Sequence, residues 1–175
     1  MEKDLKKFTI NKFQKLLNIY VNSFEFEFER QIHLLSLFTE KTIDEVEELE
    51  LDEFKELSSQ INKLEFDSFS TDFKNEIKIN DKVFISDIQD NKYKAKVKEV
   101  YLVNKYVNEN LDDYLKYIAA IIFKPVVDGN VIKDYSTEGI QERAELFDKE
   151  ITIDTLSPYL NSLSINLIAK NEVSE

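Results

Sequence analysis

One histidine, His33, and no cysteine occur in the 175 residues. Zinc sites built from several His or Cys ligands are therefore excluded, and so are disulfides and thiol chemistry. Nucleophilic catalysis needs a base beside a nucleophile. Ser36 follows His33 by one helical turn, but no segment offers a recognisable oxyanion hole. In its LLSLF surroundings His33 reads as a structural histidine. The 35 acidic residues could supply a carboxylate pair for a hydrolase, yet their abundance makes any one pair uninformative, and no Trp is present to form a sugar platform. The nearest approach to a calcium loop is DIQDN at 87–91, which lacks the glycine at loop position six and the glutamate at position twelve. Gly129 and Gly139 stand in separate segments, so no phosphate-cradling loop is encoded. The expectation is a chain with no catalytic, metal or cofactor residues, hence not an enzyme.

The composition points elsewhere. The formal charge is −12 and the pI about 4.7. A nucleic-acid backbone would repel such a surface. A neutral or basic protein partner suits it better, unless the charge confers only solubility. The start MEKDLKKFTI lacks the apolar stretch of a signal peptide, and the longest strongly apolar run, Tyr117 to Phe123, is too short to span a bilayer. A soluble protein working or assembled inside a cell is expected, without membrane contact. Thirteen Phe and eight Tyr are the notable excess. Phe26, Phe28, Phe66, Phe69 and Phe73 sit among acidic or polar neighbours, where rings either pack beneath loops or anchor an interface. Phe26, His33, Leu37, Phe66, Phe69 and Phe73 are the candidate partner-binding residues.

These residues must be placed by elements of secondary structure. With two Gly and two Pro, the chain has few obligatory turns and favours helices. Thr9 can cap a first helix bearing Phe13, Leu16, Leu17, Tyr20 and Val21. The stretch SFEFEFER, 23–30, alternates like a strand, but Phe24, Phe28, Ile32 and Leu35 form a helical stripe. A helix over 24–38 is therefore expected, capped by Ser23, with Phe28 facing inward. Phe26 falls about 160° away from that line, with Leu37 and more loosely His33 on its side. Such a helix is either sandwiched within the domain or meets a partner on its second face. Thr42 and Glu45 have capping-box spacing, and Asp52 can cap a helix bearing Phe54, Leu57 and Ile61. Asn80-Asp81 and Asp128-Gly129 each mark a hairpin. Helices are read over 94–108 and over 111–123, then one capped by Thr137 and bearing Ile140, Ala144 and Phe147, and finally one opened by Ser157-Pro158 as cap and first-turn proline. The sum is an α+β, predominantly helical single domain over 1–170, with six to seven helices, one or two small hairpins and a frayed tail at 171–175.

Taken in order, FTINKFQKLLNIY, IHLLSLFTEKTIDEVEEL, the LDEF helix, INDKVF, IIFKPV and ERAELF resemble the tail assembly chaperones and related virion proteins of small tailed bacteriophages. The resemblance extends over about 9–163 and departs from the family pattern at 91–110 and in the terminal helix. It implies a non-enzymatic protein that binds other phage proteins (portal, capsid, neck or tail subunits) in the host cytoplasm. The departures favour retention in the virion, where such a component would stand in several symmetric copies around a portal, neck or tail vertex. The alternative is a transient chaperone that shields a tail subunit.

Overall fold

The computed structural model describes residues 4–62, 72–86 and 96–162. After a 3-10 turn at Leu5–Lys7, the helices are α1 (Ile10–Val21), α2 (Glu27–Thr39), α3 (Ile43–Glu47), α4 (Leu51–Ile61), α5 (Val97–Glu109), α6 (Leu115–Ile122), α7 (Thr137–Glu150) and α8 (Ile153–Ser162). The strands β1 (Glu76–Ile79), β2 (Lys82–Ile85), β3 (Lys124–Val127) and β4 (Asn130–Val131) form one antiparallel sheet in sequence order. The fold is α+β and predominantly helical, as expected, and the described residues hold one helix more than the expected upper figure. The two hairpins join into one sheet through β2 and β3, where Phe84 lies opposite Pro125.

Both hairpins turn on two residues with positive φ, Asn80-Asp81 and Asp128-Gly129, the backbone that right-twisted strands require. Pro125 is tolerated inside the sheet for a simple reason. Its carbonyl accepts from the Ile132 N–H at 2.8 Å, so its nitrogen faces the same side, where the two-residue β4 has already ended.

At the centre lies α6. The apolar run identified in the sequence is buried on every side, as an all-apolar helix of a globular domain must be. It packs against α1, α5 and α7. No side chain of its own caps it; the Oε1 of Gln14, on α1, accepts from the Leu115 N–H instead. The sheet joins the helices through rings: Phe84 meets Phe147 of α7 edge-on at 4.8 Å, and Phe123 reaches both Phe147 and Tyr159.

Several local expectations are corrected. The α2 helix starts at Glu27, with Phe26 at the N-cap position and no side-chain cap, so the first half of SFEFEFER belongs to the connector from α1 and the second half to the helix. The residue before α4 is Glu50, and Asp52 lies inside that helix's first turn. Ser136 caps α7, its Oγ accepting from the Gly139 N–H. Ser157 and Pro158 lie within α8 rather than opening it. Thr9 and the Thr42–Glu45 capping box are as expected.

Candidate functional site

The connector and first turn of α2 present a ring-bearing surface. Three residues in five are Glu over 25–29, and acidic charge at a helix N-terminus is favoured by the helix dipole. The rings alternate with them. Phe26 is 60% exposed. Phe28 is 54% exposed, with its ring 4.7 Å from that of Phe54. This corrects the expected inward placement. Phe28 does lie in line with the buried Ile32 and Leu35, but α2's first turn is exposed, so its ring covers the edge of the core at Phe54 without being enclosed by it. Leu51, one turn before Phe54 on α4, is exposed as well, as are Tyr20 and Val21 at the end of α1. Arg30 pairs with Glu27 at 3.1 Å, and both charges act on the Tyr20 phenol, which brings the end of α1 beside this turn. Burial raises that phenol's pKa above the ordinary tyrosine range.

A second feature occupies another side of α2. A cleft of about 600 Å³ runs between α1 and α2. Its apolar lining comes from Ile19, Phe24, Leu37 and Ile43, and its rim from Lys12, Lys15, His33, Glu40 and Lys41. Lys12 reaches across to Glu40 at 3.0 Å, holding that carboxyl below its usual range through a hydrogen bond and its charge. Ser36 donates its hydroxyl to the Lys41 carbonyl at 2.7 Å, while the His33 ring lies 5.1 Å from Phe24. No three His, Cys, Asp or Glu side chains gather as a metal site among the described residues.

The candidate residues therefore divide. Phe26 belongs to the exposed aromatic patch, and His33 and Leu37 belong to the cleft. Phe73 lies in neither feature: it is half-buried and packs on the core, edge-on to Tyr159 at 5.1 Å. Phe66, Phe69 and the DIQDN segment lie outside the described residues. The cleft's lysines were missed by the sequence reading. A signal was available, because Asn11, Lys15, Asn18 and Asn22 follow helical spacing and form the polar side of α1. Compared with known protein families, curated proteins and solved structures, the chain matches none of them. No described helix is long and apolar enough to cross a membrane.

Proposed function

We propose that this chain is a non-enzymatic protein-binding module, with the Phe26–Phe28 surface as its principal contact. The observation that supports it is two large rings, Phe26 and Phe28, both more than half exposed within a short segment rich in carboxylates. Aromatic anchors inside a polar rim are the usual anatomy of a protein interface. The acidic rim suits a neutral or basic partner. The setting we propose, bacteriophage particle assembly with retention in the virion, rests on the sequence resemblance alone. Transient chaperoning of a tail subunit is the competing setting.

The test has two arms. Mass spectrometry of purified particles and of the infected-cell lysate separates the settings. Stoichiometric presence in particles supports a virion component; presence only in lysate supports the chaperone; absence from both removes the phage setting. In the second arm, Phe26→Asp should keep the circular dichroism and melting temperature of the parent and fail to enter particles. An unfolded Phe26→Asp chain would place that ring in the core and end the interface reading. Phe28→Asp, by contrast with the inward placement first expected, should cost only its contact with Phe54, about 1 kcal/mol, and remain folded.

A further inference from the structure

The charge of the cleft between α1 and α2 runs against that of the molecule. The whole chain has 23 basic and 35 acidic side chains. The cleft has three lysines and one glutamate. Lys12 is largely occupied: it pairs with Glu40, lies 4.8 Å from the centroid of the Phe8 ring, and its side chain is only 19% exposed. Lys15 and Lys41 are exposed and make no salt bridge with a described carboxylate, although the Lys41 charge also acts on the Glu45 carboxyl. Between them Ile19, Leu37 and Ile43 are half-buried and packed on the core from below. Asn22 adds an exposed amide at the end where Phe24 closes the cleft.

From this we infer that the α1–α2 cleft binds an acidic peptide segment carrying apolar side chains, at a site separate from the aromatic patch. The apolar lining takes the segment's side chains, and Lys15 and Lys41 take its carboxylates. A single small anion would leave the apolar lining unused, and a basic segment would face two exposed lysines. The molecule's net charge repels an acidic partner at a distance. Burial of apolar side chains must therefore supply most of the affinity, while the lysines set register and exclude basic sequences. The inference rests on the protein-binding reading above and adds a second partner chemistry to it.

The test is a display selection with random 12-residue peptides on the immobilised full chain, counter-selected on Lys15→Glu/Lys41→Glu. An enriched peptide is then synthesised with a fluorophore and titrated by anisotropy. Acidic sequences with interspersed apolar residues should emerge. They should bind the double variant about tenfold or more weakly, a loss of about 1.4 kcal/mol, and bind Phe26→Asp like the parent. If charge reversal perturbs the circular dichroism, Lys15→Gln/Lys41→Gln replaces it with the same expectation. Enrichment of basic or uncharged peptides, undiminished binding to the variant, or no enrichment would each overturn the inference. Loss of particle entry by Phe26→Asp bears only on the aromatic patch, so the two readings fail separately.

Discussion

At Tyr159 a phenol is held inside the domain. Its ring lies between Phe73 and Phe123, each at 5.1 Å, and its hydroxyl donates to the Lys74 carbonyl at 2.7 Å. Burial pushes its pKa up to about 12, although a hydrogen bond with Ser86 works in the other direction. An unfolded tyrosine ionises near 10. The folded chain therefore holds a proton that the unfolded chain has begun to lose, and stability must fall as pH rises from about 10 to about 12. Below that window the contribution is complete. Tyr20 and Tyr114, also raised by burial, contribute in the same sense. Urea denaturation at stepped alkaline pH should show this decline in the parent and a shallower one in Tyr159→Phe. That variant should also lose about 1 kcal/mol at neutral pH through the missing hydrogen bond. An equal alkaline slope in the two proteins would refute the assignment.

The last helix shows how an element absorbs a residue that should break it. Pro158 lies within α8, where its missing N–H would have served the carbonyl four residues back, at Asp154. The preceding Ser157 donates its hydroxyl to that carbonyl at 3.3 Å. Ser157→Ala should therefore destabilise the domain by about 1 kcal/mol. In a Pro158→Ala background an amide is restored at position 158, and the same substitution should become nearly neutral. The four melting curves form a double-mutant cycle, and additive effects would show that the hydroxyl does not substitute for the lost amide.

At the scale of the whole molecule, a buried ion pair joins α5 to the sheet. Lys124 and Glu99 are almost fully buried and lie 2.8 Å apart. The same Glu99 accepts from the Tyr135 hydroxyl at 2.6 Å and from the Lys96 backbone N–H at 3.1 Å. Lys124 and Tyr135 reach Glu99 from parts of the chain 25 and 36 residues away, while the Lys96 N–H belongs to the same helix start. Removing one partner strands the other charge in a dry place, which typically costs about 3–5 kcal/mol. Lys124→Met should accordingly lose stability on that scale in urea denaturation. Adding Glu99→Gln should recover most of it, because no isolated charge then remains. A double variant as unstable as the single one would contradict this account.

What the residues determine alone is the local structure with local causes. Helical spacing in FQKLLNIY, the Thr42–Glu45 box, and Asn-Asp and Asp-Gly turns each act over a few residues, and each element formed as its own sequence directs. The absence of Cys and the single His likewise rule out disulfides and His-rich metal sites before any folding is considered. Tertiary structure decided the rest, since it concerns where each element ends relative to its neighbours. Periodicity gave Phe28 its direction but could not show that it would sit at the exposed edge of the core. It marked Phe26 as turned away from the stripe, yet the connector that exposes it is fixed by how α1 and α2 pack. The cleft is assembled from residues on α1, on α2 and after it. Its basic character emerges only when Lys15 and Lys41, 26 positions apart in the chain, come to one rim. Likewise Gln14 caps α6 and Glu99 meets Lys124 across long sequence separations, where no local pattern records the pairing.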